Sequence, residues 1–166
     1  MPPEDWRGDA AALLEYESIY QEAIESAEEL DSIDQAIDLD FKRQHAPKLR
    51  DLVSFYIWSH LMIMSTVRLL IERELIDEQY NQQAVREHLR DSHTSDKILL
   101  DMVKEGGVID RSLHSKLNRV RRIRNEMAHS IQSRALLHSD ELDTDSLETE
   151  VERAHRAYEE IQEQLS

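Results

Sequence analysis

The sequence predicts an all-α protein, an up-and-down bundle of five to six antiparallel helices in a single domain that spans residues 1–166. Three observations predict this class. Only three Gly and three Pro occur, which is too few for the many tight turns of a sandwich or barrel. Apolar residues recur at helical spacing along most of the chain. No internal repeat or low-complexity linker divides it.

The charge and composition of the chain limit its partners. A net charge of −15, from 35 acids against 20 bases, opposes general nucleic-acid binding, so any contact with RNA has to come from a local basic patch. The bases are 15 Arg and only 5 Lys, an imbalance that suits a high-salt cytoplasm, although acidic mesophilic proteins also exist. The absence of cysteine excludes disulfides, thiolate metal sites and a cysteine nucleophile. The acidic, polar start MPPEDWRGD predicts no secretory signal and a cytoplasmic protein.

The first helix is predicted at residues 9–30, where apolar side chains follow alternating steps of three and four. This spacing is typical of an amphipathic helix with an acidic outer face. Ser32 with Gln35 forms a capping-box pattern. That pattern predicts a second, short helical segment that ends at about residue 44.

The most hydrophobic helix is predicted at about 47–77, with Pro47 in its first turn. Residues 52–67 are apolar almost all round. This run of about 16 residues, which ends before Arg68, is shorter than the roughly 20 that a membrane span needs. A buried central helix is therefore predicted, and no membrane partner is expected. His60 within it is interpreted as a hydrogen-bonded core histidine.

A short helix is predicted at about 79–90 and another at about 95–105. Ser92 or Thr94 can cap the second of these. Gly106-Gly107 ends it, because glycine readily adopts the left-handed conformation at a helix C-terminus. The residues predicted to point inward are Ile98, Leu99, Met102 and Val103.

Two long helices complete the predicted bundle. Asp110 caps a helix that runs toward about residue 136. Residues 138–146, HSDELDTDS, form a solvated connection, after which Asp145 with Glu148 caps the last helix. The apolar stripe of that helix comprises Leu147, Val151, Ala154, Tyr158, Ile161 and Leu165.

One segment reverses the charge of the rest of the chain. From Arg111 to Arg124 there are six bases and no acid, so this segment has the electrostatics to hold a phosphate backbone. The alternative is a solvated face whose arginines pair with acids, some on neighbouring helices and some at i,i+4 on the same helix. The candidate nucleic-acid-binding residues are Lys116, Arg119, Arg121 and Arg122.

Arg124 interrupts the apolar stripe of this same segment, formed by Leu113, Leu117, Val120, Met127 and Ile131. A guanidinium in a core-facing position needs a partner, a helix end or a wet cleft, because its desolvation is costly. His129 follows five residues later and can exchange protons near neutral pH. Asn125 lies one turn before His129 and can orient its imidazole. An inward-facing arginine beside a histidine suggests a phosphate or anion site.

Geometry limits how Arg124 and His129 can act together. On an ideal helix the two side chains lie about 140° apart. They converge only through the length of the arginine, a helix distortion or a second copy of the protein.

The run RNEMAHS, preceded by the basic amphipathic KLNRVRRI, resembles the signature of the HEPN superfamily. That signature is an Arg, four to six residues, then a His, often with a polar residue directly after the Arg, and Arg124, Asn125 and His129 match it. The resemblance implies a bundle of four or five main helices. It also implies a metal-independent RNA endonuclease without a cofactor, in which two motif helices of a homodimer meet at a composite cleft.

The resemblance also implies roles for these residues. His129 would handle protons while the ribose 2′-OH attacks the adjacent phosphate, and Arg124 would stabilise the developing charge. Asn125 would orient His129 or contact the phosphate. Arg121 and Arg122 would guide the RNA strand.

Toxin–antitoxin and phage-defence systems are the biological setting that the resemblance implies, with an antitoxin or a defence complex as a further partner. In HEPN toxins that a nucleotidyltransferase inactivates, a modifiable Tyr stands two residues after the motif His. Here that position is Ile131, so this type of control is not expected.

Two other functions stay open at this point. The domain could be a non-catalytic helical module for interaction or dimerisation, or it could bind a free nucleotide at the basic helix. His88 and His93 are also five residues apart, but no carboxylate spacing supports a metal site, and none is predicted.

Overall fold

Helices form the fold that the computed structural model describes for residues 10–34, 39–76, 89, 95–133 and 146–166. In chain order they are α1 (Ala10–Asp31), α2 (Leu39–Gln44), α3 (Ala46–Leu70), α4 (Asp96–Glu105), α5 (Arg111–Ser133) and α6 (Leu147–Glu163). A π-helical turn, Ile71–Leu75, continues α3. The helices pack against one another in a single domain, which confirms the predicted all-α bundle.

Helix α3 lies at the centre of this bundle and packs against α1, α4, α5 and α6. Phe55 and Val67 are fully buried, and Pro47 occupies the first turn as predicted. By length and composition α3 with its π-helical turn could cross a membrane, but most of its apolar stretch is buried inside the protein. The prediction of a central core helix is therefore confirmed. The helix predicted at 79–90 lies outside the described residues, apart from residue 89.

Hydrogen bonds between helices show that α1 runs antiparallel to α3. Ser26, near the end of α1, donates to Asp51 near the start of α3, with 2.6 Å between Oγ and Oδ2. Tyr16, early in α1, has its hydroxyl 3.5 Å from Oγ of Ser59 in the second half of α3. Consecutive long helices of an up-and-down bundle alternate in this way.

Two oxygen-bearing side chains hold the start of α6. Ser146 caps the helix, since its Oγ accepts the backbone N–H three residues later at 3.0 Å. Asp31, at the end of α1, accepts the N–H groups of Leu147 at 2.9 Å and Glu148 at 3.0 Å. The cap is thus Ser146 and not the predicted Asp145, which lies outside the described residues. Because the end of α1 meets the start of α6, these helices are antiparallel.

Two other predicted caps differ from the structure, although the helix predicted at about 95–105 is confirmed as α4. Ser95, and not Ser92 or Thr94, caps α4, since its Oγ accepts the backbone N–H three residues later at 3.3 Å. The helical segment predicted from Ser32 begins later, at α2. Ser32 Oγ donates to the carbonyl of Glu29 at 2.7 Å, so this hydroxyl caps the end of α1.

The face that α4 buries also differs from the prediction. Leu99, Leu100 and Val103 are buried, whereas Ile98 is 52% exposed and Met102 is 39% exposed. The prediction of an inward side chain is confirmed for two of the four residues and wrong for Ile98 and Met102. The apolar surface of α4 is wider than the contact that α3 and α5 offer it, so part of this surface stays in solvent.

Candidate functional site

Helix α5 carries the candidate residues, and the predicted signals set its start. Gly107 has a φ of 74°, in the left-handed region that favours glycine, where the chain leaves α4. Asp110 Oδ1 then accepts the backbone N–H of Leu113 at 2.7 Å and caps α5. The helix continues to Ser133, so all three residues of the predicted motif lie on one helix.

The apolar stripe of α5 shifts by one residue at the turn that contains Arg124. Val120, Ile123 and Met127 are buried, while Arg124 is half-buried. Ile123 therefore fills the core position that the regular spacing assigned to Arg124. The expectation of a core-facing arginine is met only in part, because Arg124 is half-buried although its Nε is buried.

The guanidinium of Arg124 is only partly satisfied by the protein. Its Nη1 donates to Asn125 Oδ1 at 2.9 Å. Its Nε is buried and makes no hydrogen bond to a described residue. The positive charge also helps to lower the pKa of Asp96 on α4. A partly desolvated guanidinium with an unused N–H is suited to an anion with several acceptor oxygens.

Asp96, the first residue of α4, pairs with two basic side chains of α3. His60 Nε2 lies 2.7 Å from Asp96 Oδ2, and Arg68 Nη2 lies 3.4 Å from Oδ1. The hydrogen bond from His60 is the main cause that lowers the pKa of Asp96, with smaller contributions from the charges of Arg68 and Arg124. Because an ionised carboxylate only accepts hydrogen bonds, His60 is the donor. The interpretation of His60 as a hydrogen-bonded core histidine is confirmed.

The sequence analysis missed Asp96 and Arg68 as members of this site. The two residues are 28 positions apart and belong to different helices. The available signals were the place of Asp96 directly after a Ser that can cap a helix and the place of Arg68 at the end of an apolar run. Neither signal points toward Arg124, because the approach of these side chains depends on how α3, α4 and α5 pack.

His129 lies on α5 one turn after Asn125, and its side chain is outside the described part of the structure. The relation between Arg124 and His129 therefore stays a prediction from helical spacing. Also outside the described residues are the predicted helix end near 136, most of the connection at 138–146, His88 and His93. Within the residues that are described, no group of three or more His, Asp and Glu is arranged to hold a metal.

The four candidate nucleic-acid-binding residues have different surroundings. Lys116 Nζ donates to both carboxylate oxygens of Glu160 on α6, at 2.6 and 2.8 Å. Arg121 Nε donates to Asn118 Oδ1 at 2.9 Å, within α5. Arg122 is exposed. The fourth residue, Arg119, belongs to a second network, around a buried carboxylate.

That network is centred on Glu150 of α6, whose side chain is 1% exposed. Arg119 donates to Glu150 Oε2 from Nε at 3.0 Å and from Nη2 at 2.9 Å. Arg153 Nη1 donates to Oε1 at 2.8 Å. Arg119 and Lys116 thus pair with acids of a neighbouring helix, which is the alternative to an RNA contact. Arg124 instead acts on Asp96 of α4 through its charge.

The function of this chain has to be inferred from its own residues. The HEPN resemblance depends on Arg124, Asn125 and His129 and on the helical bundle that carries them. No protein-family model, curated protein or solved structure matches this chain.

Proposed function

We propose that this protein is a metal-independent endoribonuclease of the HEPN type, of the toxin or phage-defence kind, and that it acts on cytoplasmic RNA. The observation that carries the proposal is Arg124, whose buried Nε has no hydrogen-bond partner among the described residues. Buried side-chain donors are normally paired. An arginine whose Nε lacks a described partner, on the helix that also carries His129, supports a phosphate as the missing acceptor.

In the proposed reaction the ribose 2′-oxygen attacks the adjacent phosphorus. The 2′-OH proton passes to His129 as the new bond between oxygen and phosphorus forms. The bond from phosphorus to the 5′-oxygen breaks, and that oxygen leaves with a proton from a second, protonated imidazole. The products are a 2′,3′-cyclic phosphate and a 5′-hydroxyl, and the proton balance needs neither metal nor cofactor.

Arg124 stabilises the charge that develops on the phosphate oxygens. Asn125 orients Arg124 in this proposal, since its Oδ1 accepts from Nη1 at 2.9 Å and so limits the rotation of the guanidinium. This differs from the role in orienting His129 that the spacing suggested. Asp96 supplies a nearby negative charge that favours the position of Arg124 before RNA binds.

A homodimer completes the proposed site. On an ideal helix the directions of residues 124 and 129 differ by about 140°. Two copies that meet along α5 place the His129 of each copy beside the Arg124 of the other. The second imidazole of the reaction then comes from the second copy.

The experiment that tests this function is RNA cleavage in EDTA at low and molar salt, by wild type and His129→Ala. We expect wild type to leave 2′,3′-cyclic phosphate ends and His129→Ala to be at least about 100-fold slower. His114→Ala is the matched control, because His114 lies on the same helix and bonds to Asp101 of α4 at 2.8 Å. A folded His129→Ala variant that cleaves at the wild-type rate contradicts the proposal.

A non-catalytic interaction or dimerisation module is the second candidate. The observation that favours it is the setting of Arg124, which is half-buried and bonded to Asn125 at 2.9 Å, as a structural cation would be. In such a module Arg124→Leu preserves or raises the melting temperature, since a hydrophobe often replaces a partly buried ion without loss. Folded, dimeric wild type that cleaves no RNA under any condition supports this candidate.

A further inference from the structure

A pocket of about 360 Å³ lies between α3, α5 and α6, beside the Glu150 network. Small-molecule sites in proteins typically begin at about 300 Å³. The apolar part of its lining comes from Val120, Ile123 and Ala154. Its described lining includes Lys116 and Arg119, two of the candidate RNA contacts, but neither Arg124 nor Asn125 of the proposed cleavage site. The pocket is therefore a separate feature that RNA cleavage does not explain.

The charges around this pocket favour an anion. The lining contains two carboxylates, Glu150 and Glu160, and four basic side chains, Lys116, Arg119, Arg153 and Arg156. The described lining thus carries an excess of positive charge in a chain whose net charge is −15. Such a local excess of positive charge attracts a negatively charged ligand.

Tyr56 of α3 lines the same pocket and carries a polar atom that the fold does not use. The residue is 1% exposed, and its hydroxyl is buried without a hydrogen-bond partner among the described residues. Burial is the main cause that raises the pKa of Tyr56, and the charge of Glu150 adds to it. The hydroxyl is therefore protonated and able to donate. A phenylalanine would fill the same space without an unpaired group, so the fold alone does not account for the hydroxyl.

We infer that this pocket binds a small organic phosphate with an apolar or aromatic body, of the size of a mononucleotide. The body packs against Val120, Ile123 and Ala154. The hydroxyl of Tyr56 donates to a polar edge of the body. The phosphate binds at the rim, where Lys116 and the exposed Arg156 are within the lining.

The rim can accept this phosphate at small cost. The pair between Lys116 and Glu160 is partly exposed, with 46% and 37% of the two side chains accessible. Arg156 is 3.9 Å from Glu152 and is 70% exposed. Exposed ion pairs of this kind are weak, so a doubly charged phosphate can replace a carboxylate at either cation.

Calorimetric titration with AMP, adenosine and inorganic phosphate tests the inference. We expect saturable binding of one AMP per chain, weaker binding of adenosine, and weaker binding of phosphate. Lys116→Gln should weaken AMP about three- to tenfold and leave adenosine unchanged. The matched control is Lys97→Gln, an exposed lysine on α4 that pairs with Asp101 at 3.4 Å.

Tyr56→Phe separates a ligand contact from a structural role. It should weaken AMP and adenosine alike, by about three- to tenfold, while the melting temperature of the unliganded protein stays or rises. His129→Ala should bind AMP as wild type does. This binding test therefore stays valid if the protein proves not to be a ribonuclease. No saturable AMP binding by folded wild type overturns the inference, as does unchanged affinity in both pocket variants. If inorganic phosphate binds as tightly as AMP does, the apolar wall of the pocket contributes nothing, and the inference of an organic ligand is overturned.

Discussion

Helix α5 faces α4 on one side and α6 on the other, and the two sides hold positive charge differently. Toward α6, Arg119 and Arg153 donate to both oxygens of a carboxylate that is 1% exposed. Toward α4, Arg124 donates to its neighbour Asn125, and its Nε has no hydrogen-bond partner among the described residues. The first arrangement fixes its cations and shapes a pocket, whereas the second leaves an arginine able to take a new partner. Arg119 and Arg124, two arginines of the same helix α5, thus have different surroundings.

The largest expected effect is on the α4 side, from Arg124→Ala. If Arg124 stabilises the transition state of RNA cleavage, the rate should fall about 10²- to 10³-fold. The melting temperature should change little, because the guanidinium is only partly bonded in the fold. Initial cleavage rates and thermal unfolding measure the two quantities. Arg43→Ala, an exposed arginine of α2, is the control, and an equal loss in both variants would contradict a specific role for Arg124.

On the α6 side the expected effect is on stability. Glu150→Gln keeps the shape of the side chain but removes the charge that Arg119 and Arg153 share. We expect a loss of about 2–3 kcal/mol in the free energy of unfolding, because two charge-assisted hydrogen bonds become weaker. Urea unfolding measures it, with the exposed Glu163→Gln on the same helix as the control. An unchanged free energy would show that the buried network does not stabilise the fold.

Asp96→Asn should have a smaller, pH-dependent effect. The pKa of Asp96 in the folded protein is below the value of about 3.9 in unfolded chains. Its contribution to stability is therefore complete above about pH 4 and is lost as the pH falls through the folded pKa. At pH 7 the variant should lose about 1–2 kcal/mol, since the bond from His60 loses its charged acceptor.

Urea unfolding of wild type and Asp96→Asn at pH 7 and pH 3 measures this difference, which should narrow at the lower pH. Asp40→Asn, on the exposed face of α2, serves as the control. A difference that is the same at both pH values would mean that the ionised carboxylate does not stabilise the α4 side.

The smallest expected effect belongs to Lys116→Gln, which removes the partly exposed pair with Glu160. Pairs of this kind contribute about 0–1 kcal/mol, and less at high salt. Thermal unfolding in low and molar salt measures the change. A large loss of stability would mean that the rim of the pocket is as rigid as its buried network.

The sequence predicted the helices well and some of their capping residues less well. Periodicity identified the long helices because burial of one face imposes the same spacing anywhere in a bundle. The caps were harder to predict because several Ser, Thr and Asp residues precede α4 and α6, and any of them has suitable chemistry. Ser95 and Ser146 are identified as the caps by the backbone N–H that each side-chain oxygen accepts.

Which face a helix buries, and what surrounds a charged residue, depend on the other helices. Ile98 and Met102 continue the apolar surface of α4, yet they lie beyond its contact with the bundle. The motif of Arg124, Asn125 and His129 was visible because it lies within six residues of one helix. Asp96 could not be associated with Arg124 from spacing, because their proximity depends on the packing of α4 against α5.

The bonds from Asp31 to the start of α6 have a consequence for biosynthesis. They join segments 116 and 117 residues apart, and contacts with such separations generally form late in folding. Helix α6 supplies Glu150, and with it one wall of the pocket beside α3 and α5. A nascent chain therefore has no pocket until α6 has been synthesised and has docked onto α1. Binding at this pocket would distinguish chains in which α6 has docked from chains in which it has not.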